Sequence, residues 1–307
     1  MINRIIIRIK VLQIVYAYYQ KDSKDLASAE NELMRSFQQT YDLYHYFFLL
    51  IILLTDAEQK RLDLLKHKYL PNQEDKQASD RLANNRFSAQ VAENQTLQKF
   101  IHSHGMMWND QDPDLIKKLL HQILDSEIYQ TYLLSEDAYA SDREFWRKVF
   151  KNILLTSERL KEIVNDQSIY IDDDFDIVGT FVLKSIKQFA PENGAEQALL
   201  PMFKDDADRA FAVHLLHRTI LEQSDNEQWI NKQIKNWEID RIALIDLYIM
   251  QIAIAELKNF PSIPINVTLN EYIDLARYYS TPKSANFING ILDAVVSDMK
   301  KEGVLFK

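Results

Sequence analysis

Residues 264–293 read PINVTLNEYIDLARYYSTPKSANFINGILD, and this stretch decides the fold. Apolar Ile273, Leu275 and Ala276 lie on a helix that Asn270 is placed to cap. Ser280-Thr281-Pro282-Lys283-Ser284 interrupts it, with Ser284 placed to cap a second helix. That helix carries Phe287, Ile288, Ile291, Leu292 and Val295 at spacings of three and four. A lysine, hydroxyls and a proline at a helix junction suit an anion or a phosphate backbone. The same composition also makes an ordinary helix corner, and both readings stand at this point.

The rest of the chain extends the helical pattern. Only 5 glycines and 7 prolines occur in 307 residues, too few for the tight turns of a sheet protein. With 47% hydrophobic residues a sizeable core is available. The spacing predicts helices over 2–19, 28–69, 88–103, 141–165, 207–221, 225–236, 239–258, 268–279 and 284–300, with a break possible at Thr55-Asp56. Asp112-Pro113 reads as a further helix start. In the first helix Ile5, Ile9, Leu12 and Tyr16 form one stripe, and Arg4 and Arg8 share a face. The aromatic run Tyr41, Tyr44, Tyr46, Phe47, Phe48 reads as a packed seam. Residues 71–87 are polar and read as a loop.

Charge and cysteine content exclude several classes. The net charge of -9 argues against a general nucleic-acid coat. Yet residues 1–21 hold Arg4, Arg8, Lys10 and Lys21 with no acid, a basic tip suited to a confined anion contact. No cysteine is present, so there is no disulfide, thiolate metal site or cysteine nucleophile. No secretory signal is visible, and the apolar runs 47–54 and 242–257 fall short of the roughly 20 residues that cross a bilayer, so a cytoplasmic location is expected. His102 and His104, His214 and His217, and the triplet Asp172-Asp173-Asp174 are the candidate metal ligands; none has supporting ligands at a suitable spacing, and the triplet suits a helix start. No nucleotide-binding glycine loop or nucleophile elbow occurs.

The strings NWEIDRIALIDLYIMQIAIAEL (236–257), Pro261 and Pro264, NEYIDLA (270–276) and SANFINGILD (284–293) resemble the NusB family of transcription antitermination factors. Arg8 and the string LQIVY (12–16) extend the likeness to the first helix. The resemblance implies an all-α, NusB-like helical bundle with an additional helical region: 1–27 as a basic helix packing on the module, 28–204 as the expansion, and 205–307 as the bundle itself. It implies a non-catalytic RNA-binding factor without cofactor or metal. Such a factor binds boxA-type single-stranded RNA in nascent ribosomal RNA, together with the ribosomal small-subunit protein NusE, within the RNA polymerase antitermination complex; neither DNA nor a membrane is an expected partner. Carried over by position, the RNA contacts are Arg4, Arg8, Lys10, Tyr16, Lys283, Ser284, Asn286 and Phe287, and the NusE contacts are Asp240 and Asp246. Where the family has consecutive arginines, Arg4 is followed by Ile5, Ile6 and Ile7, so greater dependence on the partner is expected. The alternatives are a non-catalytic interaction scaffold and an accessory module of an RNA-modifying enzyme.

Overall fold

The computed structural model of the chain describes residues 1–22, 24–69, 78–104, 108, 114–167, 171, 173–234 and 242–305. Among these residues the structure is all-α, with one isolated parallel bridge between Ile2 and Phe203. In chain order the helices are α1 (Arg4–Gln20), α2 (Leu26–Lys66), α3 (Arg86–Glu93), α4 (Gln95–His104), α5 (Leu115–Leu124), α6 (Glu127–Leu134) and α7 (Tyr139–Val149). Helix α7 runs into a π turn, Phe150–Leu154. Then come α8 (Glu158–Gln167), α9 (Asp174–Gln188), a 3-10 turn (Pro191–Glu196), α10 (Asp206–Leu221), α11 (Gln223–Gln233), α12 (Leu244–Asn259), α13 (Ile265–Tyr279) and α14 (Ser284–Lys301). No described helix is long and apolar enough to cross a membrane.

The chain divides into two compact units, one of residues 2–37 with 202–307, the other of Met1 with 38–201. The sequence placed these boundaries near 27 and 204. The first lies later, within α2, which runs unbroken from Leu26 to Lys66 and has no break at 27. Thr55 does not break that helix either, since its hydroxyl bonds back to the Ile51 carbonyl at 2.8 Å.

In the first unit α12 is the central element: residues 248–257 are all buried, as expected of a helix that is packed all round. Around it lie α1, α10, α11, α13 and α14. Helix α1 starts at Asn3, whose side chain accepts from the amides of Ile5 and Ile6. Its buried set includes Ile6, Ile7, Val11, Ile14 and Val15, while Ile5 and Tyr16 are exposed. The stripe read from the sequence was therefore turned outward at both ends. Apolar residues on every side of α1 leave periodicity unable to choose the inner face. Helix α13 begins at Ile265, so Asn270 is an exposed interior residue and not a cap. The Ile2 amide bonds the Met202 carbonyl at 2.6 Å, and the rings of Phe37 and Phe203 meet edge to face at 5.4 Å. The chain thus leaves and re-enters this unit at adjacent points, a geometry that tolerates a long insertion.

The second unit is built on the aromatic run of α2. Phe47 packs edge-on against Phe150 and Phe175, and Phe48 lies beside Phe189, which also meets Phe87. The run is a packed seam. The Asn85 side chain caps α3, and Phe87 is fully buried, so the polar segment ends before 87; residues 70–77 lie outside the described set, as do Asp112 and Pro113. Asp174 is buried and accepts from the Thr40 hydroxyl, which ties α9 to α2; Asp172 is outside the described residues.

Two helical glycines predict opposite outcomes. A Cβ on Gly179 would lie 2.3 Å from a Leu155 methyl, whereas one on Gly290 meets nothing within 4 Å. Gly290→Ala should therefore stabilise by roughly 0.5–1 kcal/mol through backbone entropy. Gly179→Ala should destabilise, because overpacking costs about 1–3 kcal/mol against that same gain. Urea midpoints of the two variants check this, and equal shifts would refute the packing argument.

Candidate nucleic-acid interface

The sequence-predicted contacts on α1 separate sharply once folded. Arg8 is only 3% exposed. Its guanidinium grips Glu256 bidentately, Nε to Oε2 and Nη2 to Oε1, both at 2.8 Å. A third donor, Nη1, reaches Glu271 at 3.2 Å. Glu256 also accepts from the Thr268 hydroxyl at 2.8 Å and the Tyr272 hydroxyl at 2.9 Å, so each carboxylate oxygen receives two bonds. The aromatic rings of Phe211 and Tyr272 lie within 6 Å of the guanidinium. Burial opposes the charge of Arg8, but the bond to Glu256 and the negative charges around it outweigh that cost and hold its pKa above the ordinary value. Burial and the Glu256 charge push the Tyr272 hydroxyl well up. Arg8 is therefore a structural cation, which corrects its assignment to RNA. Lys10 is wholly buried and is corrected in the same way, since RNA cannot reach it.

Arg4 remains accessible. It pairs with Asp208 at 3.4 Å and lies 4.8 Å over the Phe211 ring. Tyr16, 41% exposed, sits edge-on to Tyr248, on which Tyr19 stacks at 5.1 Å. Helix α1 thus runs antiparallel to α12: Arg8 meets the later turns at Glu256, and Tyr16 meets the first turns at Tyr248. Arg4 and Tyr16 are separated by about 18 Å of helix.

The junction of α13 and α14 lies at the Tyr16 end of α12. Ser284 is buried and donates to Asp246 Oδ2 at 2.7 Å. Ser280 donates to Ser284 at 3.0 Å, and the Thr281 hydroxyl lies 2.8 Å from it. Ser284 therefore anchors the loop instead of facing RNA, and it makes no capping bond to α14. Asp246 is buried in the same anchor, which corrects its assignment to a partner surface; Asp240 lies outside the described residues. Lys283 and Asn286 are exposed, and Phe287 is half-buried. Asp246 and Tyr248 are two residues apart, so Tyr16 and the loop flank one end of α12 from opposite sides. Arg4 belongs to the other end.

The acids that neutralise Arg8 were missed by the sequence reading. Glu256 stands in the apolar run IAIAEL (252–257), and a carboxylate there requires a buried cation somewhere in the chain. Three of the four candidate histidines have partners. His217 bonds Glu30 at 2.8 Å, and His214 accepts from Arg218 at 2.9 Å. His104 stacks on Phe100. Among the described residues no group of three or more histidines and acids is placed to hold a metal.

The profile of the NusB family matches residues 181–297, from within α9 through most of α14. A transcription antitermination protein NusB of Salinibacter ruber is 39% identical over 121 residues, 38% of this chain and 76% of that protein. The Geotalea daltonii protein of the same name is 38% identical over 136 residues, 43% of this chain and 89% of its own length. That of Chloroherpeton thalassium is 42% identical over 97 residues, 32% of this chain and 46% of its own length. No solved structure matches. The matches cover most of the Salinibacter and Geotalea relatives, and the family profile spans the helices that carry Glu256 and the anchored loop: this chain belongs to the NusB family.

Proposed function

We propose that the chain is a transcription antitermination factor that binds boxA-type single-stranded RNA of nascent ribosomal RNA together with NusE, as part of the RNA polymerase antitermination complex in the cytoplasm. The observation that carries this reading is the anchored loop 280–284. Ser284 and Asp246 fix its base, and Lys283 and Asn286 stand free in solvent. Lys283 supplies a phosphate contact, Asn286 a hydrogen-bonding amide, and Phe287 aromatic surface for an unpaired base. The reading is non-catalytic: the Ser284 hydroxyl and the Asp246 carboxylate are buried and spent on anchoring the loop.

With Arg8 and Lys10 buried, few cations remain for phosphate, so the affinity of the chain alone should be low and the ribosomal partner should supply much of the positive charge. The charge distribution fits this division of labour. Residues 38–201 carry 18 basic and 26 acidic side chains, while the rest of the chain carries 18 and 19. The acidity of the chain thus resides in the expanded region, and the NusB-like unit is close to neutral.

Fluorescence anisotropy with labelled boxA-type RNA, with and without NusE, tests the reading against scrambled RNA of equal length. Discrimination between the two RNAs is expected, and equal binding would favour an interaction scaffold. Lys283→Glu should weaken binding uniformly and reduce the magnitude of the slope of log K against log salt by about one. An unchanged slope would remove the loop from the interface.

A further inference from the structure

The last turn of α13 carries a feature that the family likeness did not assign. Tyr278 is 71% exposed, and its ring is held against that of Tyr279 at a centroid distance of 5.2 Å. The next residues form the loop 280–283, whose two ends are closed by the Ser280–Ser284 hydrogen bond. Tyr278 and Lys283 each lie within two residues of that bond, so the exposed ring and the exposed ammonium border one small loop. Arg277, the preceding residue, is also exposed and pairs with Asp274. An exposed tyrosine ring beside cations and hydroxyls is the combination that holds single-stranded nucleic acid: charge follows the backbone, and the ring takes a base face.

Resting on the RNA reading above, we infer that Tyr278 is a stacking platform for one unpaired base of the bound RNA, next to the nucleotide whose phosphate Lys283 contacts. Tyr279 fixes the orientation of the platform, which limits the entropy lost when a base settles on it. Because stacking is indifferent to base identity, Tyr278 adds affinity without adding sequence preference. Ring contact with a protein partner is the competing use of the same surface, and the test separates the two.

The experiment measures binding of a fluorescein-labelled 12-nucleotide boxA-type RNA and its scrambled counterpart by the full chain, as wild type, Tyr278→Ala, Tyr278→Phe and Tyr278→Trp. Tyr278→Ala should weaken binding of both RNAs by about 5- to 100-fold, the range of one lost base stack. Its salt slope should stay at the wild-type value, because no charge is removed. Tyr278→Phe should bind within twofold of wild type. In Tyr278→Trp the indole emission should change on RNA addition; the same addition to the wild type supplies the background from the native tryptophans. The position is exposed, so circular dichroism of all variants should match wild type. Wild-type affinity for Tyr278→Ala would overturn the platform and leave the RNA reading intact. Failure of the wild type to prefer boxA-type over scrambled RNA would remove the RNA reading itself. Loss of NusE capture by Tyr278→Ala, with RNA affinity unchanged, would assign the ring to the protein partner.

Discussion

Arg8→Ala should destabilise the NusB-like unit by about 3–5 kcal/mol, the usual consequence of removing one member of a buried ion pair. The cost comes less from the lost attraction than from what is left behind. Glu256 is wholly buried, and without Arg8 it keeps only the Thr268 and Tyr272 hydroxyls as donors. Glu256→Gln should be nearly as damaging, because it leaves the guanidinium buried with only Glu271, across 3.2 Å, as an acid. Arg8→Lys should rescue little, since an ammonium cannot reproduce the two parallel 2.8 Å bonds. Replacing both partners, as in Arg8→Met with Glu256→Leu, should recover most of the loss, because no buried charge then lacks a partner. Hydrogen exchange of the α12 amides reads the stability of this unit directly. If Arg8→Ala cost under 1 kcal/mol while RNA affinity fell tenfold, Arg8 would be an RNA contact after all.

That pair also shows how far the sequence could be read. Helix class, the loop at 280–284 and the family likeness all rest on local strings, and local strings carry periodicity, caps and spacing. The identity of the inner face of α1 does not. Arg4 and Arg8 share a face by spacing, yet Arg4 stays in solvent and Arg8 is buried, because a carboxylate 248 residues further along the chain accepts from Arg8. The same holds for Ser284, which reads as a cap but is drawn inward by Asp246, 38 residues upstream. A polar side chain adjusts to whichever partner the fold delivers, and nothing within a few residues announces that partner. The signal that was available lay in the acids: Glu256 and Asp246 sit within a helix too apolar to hold them unpaired.

The stability of the 38–201 unit should fall by about 3 kcal/mol as the pH drops from 6.5 toward 4, through one histidine. His45 is 3% exposed on α2. Its ring stacks on Phe100 at 4.7 Å and meets Tyr41 and Tyr44 edge to face. Its Nδ1 lies 2.9 Å from the Tyr41 carbonyl; a carbonyl only accepts, so Nδ1 carries the proton there. Burial lowers the pKa of His45 to about 4; the bond to the Tyr41 carbonyl pulls upward and the charge of nearby His104 adds to the drop. In the unfolded chain the group titrates near 6.5. Above that pH it is neutral in both states, and its contribution is fully present. Below it the unfolded chain takes up a proton that the folded unit refuses, so stability declines by up to about 1.4 kcal/mol per pH unit until the folded group also protonates near pH 4. His45→Phe keeps an aromatic ring against Phe100 and cannot titrate. Carboxylates that titrate in the same range are common to both proteins, so the difference between wild type and His45→Phe isolates the imidazole. Wild type should lose about 3 kcal/mol relative to His45→Phe between pH 6.5 and 4 in urea melts. An NMR titration of the His45 ring should show its midpoint near the lower limit of that interval. A midpoint at 6.5 would mean that water and protons reach the imidazole in the folded state, and the packed column of Tyr41, His45 and Phe100 would have to be redrawn.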